Sequence, residues 1–264
     1  MSKELYWIWF SKLNIGAKEK LELLKEYEEP EKVFKQSKYN NGLMEELEKE
    51  KQKIEKYGIK IIDLYSEYYP QNLIYIYDAP VVLFALGNID LLKQKSIAIV
   101  GARKCTNYGK KVAKNISEKI VESGINVISG LARGIDTMAH IGADGETIAV
   151  LGTGLDVIYP KENIGLAKDI IKKGGLIITE YGLGVGPRKM HFPSRNRIIS
   201  GIAEKVVVVE AGEKSGSLIT AEFALEQGKD VYAVPGNITS LQSKGTNSLI
   251  KEGAIPYTEI NDLM

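Results

Sequence analysis

Apolar residues follow two different rhythms along this chain. Up to about Tyr57 they recur at helical spacing, with Leu21, Leu24 and Tyr27 forming one stripe and Leu43, Leu47 and Ile54 another. Such three-and-four spacing places side chains on one face of a helix. Glycine is scarce in this stretch, and residues 45–51 alternate in charge, the habit of a solvated helix face. A small helical module over residues 1–57 is predicted.

From Gly58 onward the rhythm changes. Short β-branched runs are predicted as strands at 59–63, 80–87, 96–100, 126–129, 147–151, 176–179, 206–210 and 230–234, with Tyr68-Tyr69-Pro70 as a break. Helix-length stretches lie between them at 110–123, 161–173 and 218–227. Continuous apolar strands alternating with helices predict an α/β fold, a parallel sheet covered on both faces, over residues 58–264. Ligands of such sheets bind beyond the carboxyl ends of the strands. Four junctions there carry chemistry.

The first is Val100-Gly101-Ala102-Arg103-Lys104-Cys105-Thr106-Asn107-Tyr108-Gly109. Gly101 permits close backbone approach, the following helix directs amides at an anion, and Arg103 can clamp a phosphate. The plainer alternative makes Arg103 a surface salt bridge. No dinucleotide or Walker A motif is present. The second junction, Ser129-Gly130-Leu131-Ala132-Arg133-Gly134-Ile135-Asp136-Thr137-Met138-Ala139-His140, again leads from strand to helix. Asp136 and His140 share a helical face. A catalytic pair is one reading; the preferred one has Asp136 holding amides and His140 filling the sheet–helix interface.

The third junction runs from Glu180 through three glycines and Pro187 to Met190-His191-Phe192-Pro193-Ser194-Arg195-Asn196-Arg197. It combines planar cationic forks for phosphate with an aromatic face for a base. On a helix beginning at Pro193, Arg195 and Arg197 lie about 200° apart, so one is structural. Arg195, nearer the helix start, is preferred as the exposed contact. The fourth, Glu210-Ala211-Gly212-Glu213-Lys214-Ser215-Gly216-Ser217, suits an oxyanion above a helix start, or else simply caps the helix.

Composition narrows the class further. With 44% hydrophobic and 26% charged residues the chain is an ordinary globular one. The net charge of +1 means that a nucleic-acid surface must concentrate its cations locally. One cysteine excludes an internal disulfide, and two histidines beside it argue against a zinc site. The first ten residues contain too short an apolar run for a signal peptide, and no run approaches membrane-spanning length. A cytoplasmic protein without cofactor or metal is expected.

Long ordered blocks resemble the DNA-processing protein A family (DprA, also called Smf): VGARKCTNYG from Val100, SGLARGIDTMAH from Ser129, TIAVLGTGLDVIYP from Thr147, FPSRNRIISGIA from Phe192, VVVVEAGEKSGSLITAEFALEQGKDVYAVPGNI from Val206 and GTNSLIKEGA from Gly245. The resemblance implies an extended Rossmann-like domain that binds single-stranded DNA without enzymatic activity. It also implies a homodimer that loads the recombinase RecA in natural transformation. Its binding residues fall on Arg103, Lys189, Phe192, Arg195, Arg197, Lys214, Ser215, Gly216 and Ser217, and Gly130 and Arg133 of the second junction are expected to bind DNA beside them. The helical start is similar to the family's N-terminal module, of the SAM or helix–hairpin–helix kind. Its Leu13-Asn14-Ile15-Gly16-Ala17-Lys18 resembles a hairpin whose amides meet phosphate, though an ordinary connecting loop is the plainer reading.

Two departures stand out: Ala143-Asp144 replaces an alanine–leucine pair, expected to affect packing, and no C-terminal winged helix is expected after Met264. The alternative class is a nucleotide-processing hydrolase of the lysine-decarboxylase-like type. Gly216, Thr220 and Glu222 partly match its PGG-x-GT-x-x-E motif, with Glu222 as acid, but the leading PGG is missing.

Overall fold

The computed structural model describes residues 2–36, 38–39 and 44–264. Leu43, one member of the second apolar stripe, lies outside the described residues. Among the described residues four helices open the chain, α1 (Lys3–Ser11), α2 (Ala17–Tyr27), α3 (Pro30–Gln36) and α4 (Met44–Lys56). There follow β1 (Lys60–Asp63), α5 (Gln71–Ile74), β2 (Val82–Gly87), β3 (Ser96–Val100), α6 (Asn107–Glu122), β4 (Asn126–Ser129) and α7 (Ile135–Ala143). The chain continues with β5 (Thr147–Val150), α8 (Ile164–Lys172), β6 (Leu176–Thr179), α9 (His191–Ile202) and β7 (Lys205–Val208). It closes with α10 (Gly216–Glu226), β8 (Asp230–Ala233), α11 (Lys244–Lys251) and β9 (Ile255–Pro256).

Among the described residues nine strands form one sheet in the order β1-β2-β6-β5-β4-β3-β7-β8-β9. From β6 to β9 every pairing is parallel, whereas β2 runs antiparallel to both its neighbours. The expected parallel sheet is thus present from β6 to β9, and the reversed β2 makes the whole sheet a mixed one. An apolar run reads the same in either direction, so residues 80–87 gave no sign of the reversal.

Strand alternation sorts the core into layers. Ala98, Val100, Val206 and Val208 face α9 and α10, while Ile97, Ile99 and Val207 face α6 and α7 on the other side. This is the two-residue period of a pleated strand. The apolar face of α1 (Leu5, Trp7, Ile8, Phe10) joins Phe84 of β2 and Ile177 of β6 in a third cluster. The opening helices thus share a core with the sheet edge. Asp144 ends α7 in the left-handed conformation, φ 44°, which a short polar side chain tolerates. It pairs with Lys173 on the surface, so the departure at this position acts on a helix end and not on core packing.

Candidate nucleic-acid interface

The strand order reverses at β3, and the helices following β3 and β7 cover opposite faces of the sheet. This divergence opens a crevice beyond the carboxyl ends of these two strands. Gly101 lines it because nothing larger fits: a Cβ there would lie 2.6 Å from Ile135 and 2.9 Å from the Glu210 carbonyl. Glu210, buried at the end of β7, holds the loop after β3. Its carbonyl accepts from Ala102 N–H at 2.7 Å, and its carboxylate accepts from the Thr106 amide and hydroxyl at 2.8 and 2.6 Å. Arg103 is presented to solvent on this pinned loop.

The crevice encloses about 800 Å³. Arg103 and Lys104 form one wall, and Lys189 and Phe192 another. The turn Lys214-Ser215-Gly216-Ser217 closes the far side at the start of α10. Ser215 accepts from Ser217 N–H there at 3.5 Å, its hydroxyl lies 2.8 Å from that of Ser217, and Asn196 donates to the Gly216 carbonyl at 3.3 Å. Asp136 and Arg195 make the floor. Five basic side chains (Arg103, Lys104, Lys189, Arg195 and Lys214) thus face one carboxylate. Burial raises the pKa of Asp136, with the nearby Arg195 pulling it the other way.

Phe192 stands between Arg103, whose guanidinium carbon lies 5.3 Å from the ring centroid, and Tyr159, whose ring centroid is 5.4 Å away. A small hollow of about 50 Å³, lined by these three side chains, brings in Gly130 and Arg133. Arg133 pairs with Glu162, both well exposed. A pair so solvated binds weakly and leaves the guanidinium able to turn elsewhere.

The two arginines of α9 diverge as the helical geometry requires, but neither is the exposed contact expected of Arg195. Arg195 is 4% exposed and donates to the carbonyls of Gly130 and Val150 at the ends of β4 and β5. Burial lowers its pKa to about 10, so it remains a fixed positive charge beneath the crevice. Arg197 lies outside the crevice. It donates to Glu180 at 2.7 and 2.8 Å and to Asp78 at 2.9 Å. Burial opposes its charge, yet these carboxylates outweigh that and raise its pKa.

The pair in the second junction is structural. Asp136 accepts from Ala132 N–H at 3.3 Å. His140 Nε2 accepts from Leu131 N–H at 3.3 Å while Nδ1 lies 2.8 Å from the Thr147 hydroxyl. That hydroxyl donates to the Val127 carbonyl at 2.9 Å, so the proton of the neutral ring sits on Nδ1. Burial drives the His140 pKa down to about 3. Glu222 is exposed on α10 and does not line the crevice. Among the described residues no His/Cys/Asp/Glu cluster is fit for a metal ion, and no helix is long and apolar enough to cross a membrane.

Sequence reading assigned no role to Tyr159, Glu210 or Glu50. Tyr159 announced itself only as an aromatic before Pro160. Glu50 of α4 reaches the loop that carries Lys189: it accepts from Leu183 N–H at 3.1 Å and pairs with Lys12. No local spacing marks such a contact across 133 positions.

The family "DNA recombination-mediator protein A" matches residues 60–264. The DNA processing protein DprA of Streptococcus pneumoniae is 48% identical over 221 residues, covering 83% of this chain and 76% of that one. The X-ray structure of that organism's DprA superposes with a TM-score of 0.87 at 39% identity, over 100% of this chain and 97% of the other. A structure of DNA processing protein A from Helicobacter pylori, described for its single-stranded DNA binding mode, gives 0.73 at 29% identity over 78% of this chain and 94% of its own.

Proposed function

The chain belongs to the DNA recombination-mediator protein A family, and from that premise we propose that its crevice holds single-stranded DNA as the binding step of a recombination mediator. The observation that carries this reading is the gathering of five basic side chains against one buried carboxylate beside an aromatic pair. Phosphates sit against Arg103, Lys189 and Lys214 and the amides that open α10, over the fixed charge of Arg195. Phe192 and Tyr159 offer faces to unstacked bases. Stacking of this kind is indifferent to sequence, and the cationic groups recognise backbone and not base edges. Binding is therefore sequence-independent.

The chemistry is binding without turnover: Asp136 is spent on backbone amides, His140 is locked neutral, and Glu222 stands away from the crevice. The acid that the hydrolase reading assigns, Glu222, does not line the crevice. On family grounds the bound strand is handed to the recombinase RecA during natural transformation in the cytoplasm, by a homodimer whose paired crevices raise avidity. A gel shift of single against double strands, with Arg103→Ala and Phe192→Ala beside the wild type, tests the site. Preferential retention of the single strand, weakened by both substitutions, is expected; equal binding of both forms, indifferent to either substitution, refutes it.

A further inference from the structure

A second cleft of about 790 Å³ lies on the other side of α9 and its preceding loop, between the sheet domain and the opening helices. The two clefts share a wall. Along it Lys189, Phe192 and Arg195 face the first, while Arg188, Ser194 and Arg197 face the second. Met190, 69% exposed, follows Lys189 in the chain and lines the second cleft. The opposite wall of the second cleft is the turn 13–17 together with Lys20 of α2.

The charge of this cleft is not balanced by its own carboxylates. Asp78 and Glu180 are engaged by Arg197, and Lys12 is engaged by Glu50. Arg188 is exposed and has no ion pair among the described residues. Lys20 gives one hydrogen to the Ser11 carbonyl at 2.6 Å, which leaves two. Counted with Glu50, the four cations Lys12, Lys20, Arg188 and Arg197 meet three carboxylates, which leaves one net positive charge, with Arg188 and Lys20 outside the ion pairs and burial lowering the Lys20 pKa to about 8.

We propose that the second cleft continues the polynucleotide path: a single strand leaving the first cleft passes over Met190 and lays its next phosphates between Arg188 and Lys20. This rests on the reading of the first cleft as the single-strand site. An unpaired strand is flexible enough to turn over a wall that a duplex cannot follow, and Met190 gives a base an apolar surface there. The opening helices then serve as the far bank of the binding path.

Oligothymidylates of increasing length test this by fluorescence anisotropy on the full chain. The shortest that bind occupy the first cleft alone. Arg188→Glu, and on the opposite wall Asn14→Glu, are expected to lower affinity for long oligomers about tenfold and to reduce their salt slope by about 0.7. Binding of the shortest oligomers stays within about twofold of wild type, and the thermal midpoint is unchanged. An equal loss at every length overturns the proposal by placing Arg188 in the first cleft. No loss at any length, with Arg103→Ala still weakening all of them, overturns it while sparing the first cleft. Failure of the wild type to bind any length sinks the first-cleft reading and this one with it.

Discussion

The Arg103 guanidinium carbon lies 5.3 Å from the centroid of the Phe192 ring, so the side chains proposed to clamp a phosphate and to stack a base sit in contact in the crevice. A cation above an aromatic face contributes about 0.5–2 kcal/mol. Arg103→Ala and Phe192→Ala should each weaken single-strand binding, and the double variant should lose less than the sum, because each single change also disturbs the other residue's position. A double-mutant cycle by anisotropy reads the coupling, expected at about 0.5 kcal/mol or more. Strict additivity would mean that the two residues bind independently.

Arg195 ties the ends of β4 and β5 together through the carbonyls of Gly130 and Val150. Arg195→Met should cost about 3–5 kcal/mol of stability, the range for breaking a buried charged set. Gly130→Ala should destabilise too, because its Cβ would lie 2.5 Å from the guanidinium. Urea denaturation measures both. A variant at Arg195 that keeps wild-type stability and loses only DNA binding would show it to be a contact residue instead.

Most of the fold, and the membership of the crevice, were legible because βα junctions advertise themselves. Arg103, Lys189, Phe192 and Lys214 each follow or end a glycine-rich break after an apolar run, and all four meet in one crevice. Direction and depth were not legible. Residues 82–87 give no sign of running antiparallel, and the spacing of Arg195 and Arg197 separates their faces without saying which is buried or what lies opposite. Asp78 and Glu180, which engage Arg197, are 119 and 17 positions away from it. Long-range anchors such as Glu210 and Glu50 belong to the tertiary fold alone.

Glu50 positions the cationic loop from the helical side by accepting the Leu183 amide. Glu50→Ala is expected to speed exchange of the Leu183 amide hydrogen and to weaken DNA binding severalfold, the loss of one charge-assisted hydrogen bond being worth about 1.5–3 kcal/mol locally. Native-state hydrogen exchange followed residue by residue checks it. Unchanged protection at Leu183 would show that the loop holds itself.

His140 gives a pH signature. Its folded pKa, about 3, lies below the ordinary value of 6.5. The unfolded chain therefore takes up a proton that the fold refuses, so this stability is complete above pH 6.5 and lost progressively as pH falls toward 3. His140→Gln, which can still donate to Thr147 and accept from Leu131, should show a shallower decline over that window. Parallel urea midpoints for both proteins would be compared, and superimposable pH profiles would remove His140 from the account.

The central claim is that clustered cations in one crevice hold the phosphates of an unpaired strand, and a salt titration of oligothymidylate affinity tests it most directly. With about four phosphate contacts, log affinity against log salt should fall with a slope near −3 per protomer, and Arg103→Ala or Lys214→Ala should each reduce its magnitude by about 0.7. A wild-type slope near zero, or substitutions that leave both slope and affinity unchanged, would contradict the account.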